Sequence, residues 1–243
     1  MEDRYFQTNI IDFSETKHDE STYSIFGGSI VLEGSTLNAR QFATQGSREK
    51  MAAQIFTGTE HFRSGISKVT KGTPEPYKKV QSWLQVSYQN ETYHKVSPKF
   101  TLGAYLEAYY SSRNFSNNYT ATLMQAREFT PTAHSKVTYN EAFRANQYAG
   151  VGTMPIYQLS ESFQLRGEFY GFIPIFPIKK DEYGQAYYGK AFTKFEYLGE
   201  ISLVFQLSFG SISAYVNHYS SPSNDWNVGL TLGWQLFNSR FVE

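Results

Sequence analysis

The chain has 243 residues, formal net charge zero and no cysteine. Neutral charge removes the basic surface that phosphate binding needs, so nucleic acid is excluded as an expected partner; zero cysteine excludes a disulfide scaffold and thiolate zinc sites. Aromatic residues reach 17%, with 19 Tyr and 20 Phe, while mean hydropathy is −0.46. That pairing suits a barrel with aromatic belts outside and a polar lumen.

No apolar run approaches the roughly 20 residues that a membrane helix needs. A membrane reading therefore requires a β-barrel, the other fold that satisfies its backbone in lipid. The start, Met1-Glu2-Asp3-Arg4-Tyr5-Phe6-Gln7, has neither a basic n-region nor an apolar h-region. An outer-membrane protein needs such a signal, so the expectation is a removed signal or a chain that is the C-terminal piece of a longer one.

In chain order, strands are predicted near Tyr5–Phe13, then at Thr22–Gly34, Ser47–Gly58 and Lys79–Glu91. Pro98–Ser112 alternates: Phe100, Leu102, Ala104, Leu106, Ala108 and Tyr110 face one way, and Lys99, Thr101, Gly103, Tyr105, Glu107 and Tyr109 the other. A strand over Arg144–Tyr157 follows. Ser162–Ile175 sets Leu165, Phe169 and Ile173 against Gln164, Arg166, Glu168 and Tyr170. Phe195–Leu207 sets Tyr197, Ile201, Leu203, Phe205 and Leu207 against Glu196, Glu200, Ser202 and Gln206, and Gly210–Tyr219 sets Ile212, Ala214 and Val216 against Ser213, Tyr215 and Asn217.

The last strand, Trp226–Phe237, carries Trp226, Val228, Leu230, Leu232, Trp234 and Leu236 on one face and Asn227, Gly229, Thr231, Gly233 and Gln235 on the other. Its two tryptophans are separated by about 20 Å of height at a barrel tilt, which fits an aromatic at each membrane interface. Trp226, Leu230, Leu232 and Trp234 are thus expected to face lipid.

The connections alternate between short (Thr92–Ser97, Gln158–Glu161, Ser208–Phe209) and long (Thr59–Tyr77, Arg113–Phe143, Phe176–Phe192), with Ser220–Asn224 a short member of the second class. Outer-membrane barrels have short periplasmic turns and longer extracellular loops; a soluble β-sandwich, the rival fold, has no reason to sort its connections by side. The predicted class is all-β, an antiparallel transmembrane β-barrel of about ten strands in the bacterial outer membrane, with a periplasmic C-terminus and outer-membrane lipid as its surroundings. Residues 1–243 form one barrel domain, and the loop over 113–143 is extracellular and folds toward the lumen.

The long loop ends in Tyr139-Asn140-Glu141-Ala142-Phe143-Arg144-Ala145-Asn146-Gln147-Tyr148. It resembles the sixth extracellular loop of the BamA/TamA-type barrel superfamily, where a Val-Arg-Gly-Phe/Tyr motif precedes the fifth strand from the end; here Phe143-Arg144-Ala145-Asn146 keeps the arginine. Leu32 to Gly46 resembles that superfamily's periplasmic turn. Asn118-Tyr119-Thr120-Ala121-Thr122, Phe129-Thr130-Pro131-Thr132, Glu168-Phe169-Tyr170-Gly171-Phe172 and Val216-Asn217-His218-Tyr219-Ser220-Ser221-Pro222 are similar to the C-terminal barrel of Bacteroidetes-type patatin-like phospholipases. The resemblance implies a barrel of about sixteen strands of which this chain is the C-terminal part, preceded by a hydrolase domain and a periplasmic repeat. It implies an anchor, or an aid to export, for the attached hydrolase, and insertion by the barrel assembly machinery. Asn227, Gly229, Leu232 and Trp234 resemble the insertion signal of such barrels.

The nucleophile elbow Gly-x-Ser-x-Gly is absent: Gly27-Gly28-Ser29-Ile30-Val31 fails at its last position. No catalysis is expected from this segment. His18, His61, His94, His134 and His218 lack metal spacing and read as solvated or lumen residues, so no metal or cofactor is expected.

Strand parity turns Glu168, Glu196 and Glu200 to the lumen. The superfamily resemblance implies that the loop arginine pairs with such carboxylates, and a guanidinium fork is suited to that. The expectation is that Arg144 pairs with Glu168 or Glu200 and pins the loop inside. Rival functions are a BamA/TamA-type assembly or translocation factor, a stand-alone diffusion pore and a soluble β-sandwich binding module.

Overall fold

The computed structural model describes residues 2–5, 18–63, 65, 76–116, 119–137, 139–221 and 226–234. In chain order come β1 (Glu2–Tyr5), β2 (Asp19–Ser35), β3 (Gly46–Arg63), β4 (Tyr77–Lys95), β5 (Phe100–Ser111), helix α1 (Tyr119–Gln125), β6 (Arg127–Glu128), β7 (Arg144–Ala145) and β8 (Gln147–Gln158). Then follow β9 (Phe163–Pro174), β10 (Ile178–Lys180), β11 (Ala186–Tyr188), β12 (Glu196–Leu207), β13 (Gly210–Tyr219) and β14 (Trp226–Trp234).

Ten of these form one sheet in the order β1-β2-β3-β4-β5-β8-β9-β12-β13-β14. Every neighbouring pair is antiparallel. The remaining four strands make two small ribbons, β6-β7 and β10-β11, inside two of the connections. Among the described residues no pairing joins β14 to β1 or β2, so the sheet is open at both edges. The class is therefore all-β with a large antiparallel sheet; closure into a barrel is not part of what the sheet displays.

The predicted strands at Pro98–Ser112, Ser162–Ile175, Phe195–Leu207 and Gly210–Tyr219 agree with β5, β9, β12 and β13 to within two residues. The expectation for the first strand differs: the sheet begins with Glu2–Tyr5, and residues 6–13 lie outside the described ones. β2, β3 and β4 are longer than read, at 17, 18 and 19 residues. Their outer ends carry residues such as His61 and Lys78, which break the apolar alternation but not the backbone ladder.

The connections sort by end of the sheet. At one end lie 36–45, 96–99, 159–162 and 208–209; at the other lie the strand ends that flank 6–18, 64–76, 112–146, 175–195 and 220–225. On β5 the buried side chains are Thr101, Tyr105, Glu107, Tyr109 and Ser111, while Leu102, Leu106 and Tyr110 are exposed. The core is therefore on one face of the sheet. It is built from Tyr105, Tyr148, Tyr170, Phe172 and Leu198 of the strands with Phe129, Ala142 and Phe143 of the connection 112–146.

The connection 36–45 also lies on that face. Phe42 takes a left-handed backbone (φ 56°), a conformation that costs a bulky residue about 1–2 kcal/mol. Its carbonyl accepts from Gln164 Nε2 at 3.3 Å and Gln206 Nε2 at 3.1 Å, and the Ala43 carbonyl from Arg166 Nη1 at 2.8 Å. A connection between β2 and β3 thereby reaches β9 and β12, several strands away, so the sheet curls strongly around its buried face.

Candidate functional site

The two faces of the sheet have inverted polarity. The buried face of β9 carries Gln164, Arg166, Glu168 and Tyr170, and that of β12 carries Glu196, Glu200 and Ser202. Parity alone dictates this, since even-numbered residues of both strands share a face. Buried charges are tolerated only when paired and hydrogen-bonded, and these are. Arg166, 3% exposed, pairs with Glu168, donates to Tyr93 Oη at 2.5 Å and to the Ala43 carbonyl. Glu107 accepts from Tyr105 at 2.6 Å, Tyr148 at 2.7 Å and Arg127 at 3.1 Å.

The connection 112–146 covers this face. The Phe129 ring packs on Phe172 at 5.5 Å and edge-on to Tyr148 and Tyr105 at 5.9 and 6.2 Å. Phe143 meets Phe172 at 5.6 Å and Tyr219 at 5.7 Å. Deeper along the segment, His134 Nδ1 lies 2.6 Å from Glu200 Oε1. Its ring stacks on Tyr215 at 3.6 Å, its Nε2 is 3.4 Å from Ser213 Oγ, and Asn217 donates to the other Glu200 oxygen at 3.4 Å.

Ser213, His134 and Glu200 thus share the connectivity of a nucleophile, base and orienting acid. Ser213, however, is 1% exposed, and a nucleophile must meet its substrate. The cluster is a tether: one end on the connection, the other on β12 and β13.

Arg144 corrects the expected lock. Its guanidinium pairs with Glu128, not with Glu168 or Glu200. It also donates to the carbonyls of Leu123 (3.3 Å), Met124 (3.4 Å) and Ala126 (3.1 Å), and lies 4.5 Å from the centre of the Tyr139 ring. Burial pushes the Tyr139 phenol up, opposed by the Arg144 charge. The cause of the pairing is local: β6 and β7 form a two-residue ribbon in which Glu128 stands opposite Arg144. The arginine therefore closes the connection upon itself. The carboxylates expected to receive it have other partners: Glu168 has Arg166, Glu200 has His134, and Glu196 has Ser220 and Lys194.

The sequence places His134 only among solvated or lumen histidines and gives it no partner. It sits in irregular chain with no periodicity to assign it a face, and a lone histidine carries no spacing signal.

The opposite face is apolar and open. On β14, Trp226, Val228, Leu230 and Leu232 are exposed, Leu230 to 82%; the side chain of Trp234 lies outside the described residues. Asn227 and Gly229 turn the other way, Asn227 donating to Asn217 at 3.2 Å and Gly229 lying under the Tyr215 ring. Phe26 and Ile30 of β2, Ile55 of β3, Val80 of β4, Leu106 of β5, Phe169 of β9 and Ile201 of β12 continue the apolar surface across the sheet. Among the described residues no helix is long and apolar enough to cross a membrane, and no group of His, Asp and Glu could hold a metal ion. No protein-family model, no curated protein and no solved structure matches the chain.

Proposed function

We propose that this chain is the C-terminal arc of an outer-membrane β-barrel that anchors, or helps export, an attached patatin-like hydrolase. The observation that carries the barrel reading is the inverted polarity of the sheet. Glu200 and Arg166 are buried while Leu230 and Phe26 face outward. In water that arrangement wastes apolar burial; in lipid it is required. A strand such as β5, with 12 residues, gives about 30 Å of height at a tilt of roughly 40°, enough for the apolar band. The sorting of connections by end supports the same reading, with the long ones extracellular. The open edges are compatible with further strands closing the wall. The hydrolase passenger rests on the resemblance of the phrases around Phe129, Glu168 and Val216 to patatin-like phospholipases. Packing of Phe129 and His134 against the inner face opposes the rival of an open diffusion pore.

The test is fractionation of the chain expressed with a secretion signal. It is expected in the outer membrane, resistant to carbonate and urea extraction, and shifted in electrophoretic mobility by heating. Recovery from the soluble fraction without detergent would sink the reading in favour of a soluble binding module. A phospholipase assay on the product of the full reading frame tests the passenger separately.

A further inference from the structure

The outward face is not uniform. Toward its long-connection end, two glycines lie on adjacent strands: Gly171 of β9 opposite Tyr197, and Gly199 of β12 opposite Phe169. A Cβ on Gly171 would meet the Phe195 ring at 2.9 Å, whereas one on Gly199 would stop 3.6 Å from Phe169, at ordinary contact. With the Phe195 ring over Gly171 as one wall, the bare Gly199 leaves a groove of about 800 Å³ bordered also by Val151, Phe169, Tyr197, Val216 and Trp226. At its rim the His218 ring lies between Tyr197, at 5.8 Å, and Trp226, at 4.8 Å. Glu200 borders the groove only from behind, because its carboxylate is bonded to His134 and Asn217 on the buried face. Among the described residues, no lysine, arginine or outward carboxylate lines it.

We infer that this groove holds one acyl chain of a membrane phospholipid, in the leaflet on the long-connection side. The inference rests on the membrane reading above. The size is that of a small-molecule site, and the lining offers a hydrocarbon chain contact without an unpaired charge. A glycine floor lets a flexible chain lie against backbone, gaining close-range dispersion that a uniformly bulky surface denies it. The groove runs without a break into the apolar face of Leu203, Ala214 and Leu230, along which the rest of the chain can extend. The Tyr197–His218–Trp226 ladder is of the amphipathic kind that gathers at a membrane interface, and an imidazole can donate to an ester carbonyl there.

Trp226 is in the groove wall and reports on it. Its emission is isolated as the difference between the wild-type chain and Trp226→Phe. In vesicles of dibrominated dioleoyl phosphatidylcholine that emission is expected to be quenched relative to unbrominated vesicles; no quenching there would overturn the membrane reading itself. In detergent micelles titrated with the same brominated lipid, quenching is expected to saturate near one lipid per chain. Gly199→Leu, which fills the floor, is expected to weaken it at least fivefold. Val151→Phe fills the groove from β8 and serves as an independent variant should the first not fold. Quenching that never saturates, or that is unchanged in a folded filling variant, overturns the site while leaving the vesicle result standing. Exclusion of the lipid by a second copy crosslinked across Trp226 also overturns it.

Discussion

β2 and β12 obey the same alternation and end in different environments. On β12 the inward residues Leu198, Glu200, Ser202 and Val204 are buried; on β2 the inward residues Ile25 and Val31 are exposed, and both faces of residues 24–35 are open. Among the described residues, only the long-connection end of β2 is covered, where Tyr23 bonds Glu60 at 3.1 Å and meets Gln125 of α1. Alternation thus decides which way a side chain points. Whether that direction is a core depends on what lies over it, and here the cover is the connections 112–146 and 36–45.

The largest break in this comparison is expected from Phe129→Ala. It removes the ring that four strand aromatics pack against and should lower stability by about 3–5 kcal/mol, read from the heat-modified mobility shift. Phe26→Ala, on the open outer face of β2, should move that transition by less than a third as much. Next comes the outward face. Leu203→Arg places a charge against hydrocarbon and should cost about 2–4 kcal/mol at mid-depth. Gln54→Arg, on the uncovered inward face of β3, should leave the transition unchanged, and equal effects of the two would mean that neither face meets lipid. Of the three principal variants, Arg144→Ala has the smallest effect. It takes the guanidinium donor from Glu128 Oε2 and from three carbonyls, while Glu128 Oε1 keeps the Asn140 N–H at 2.9 Å, and should cost about 1–3 kcal/mol. The loss should appear first as faster proteolysis within 112–146, while the Glu200–His134 tether keeps the segment on the inner face.

Much of the sheet was legible because strand parity is a local, periodic signal. Gln164, Arg166 and Glu168 were read on one face, and that face is buried. The length of β2 to β4 was less legible, since His61 and Lys78 interrupt the pattern where the ladder continues. The site was half legible. Inward carboxylates could be read from β9 and β12, but their partners could not. Arg144 faces Glu128 through a two-residue ribbon too short for any periodicity, and His134 reaches Glu200 from 66 residues away through chain with no repeating pattern. Neither did the composition of 36–45 announce a crossing to β9, because that contact depends on how tightly the sheet curls.

That crossing has a consequence in time. Its hydrogen bonds join residues 122, 164 and 170 apart in the chain, and contacts of such separation form only after the intervening chain has been ordered. The β2–β3 hairpin can zip early, yet its connecting loop must wait for β9, β12 and β13 before Phe42 finds Gln164 and Gln206. The loop of this hairpin is therefore fastened late, and the left-handed turn at Phe42 acts as a clasp on the finished curl.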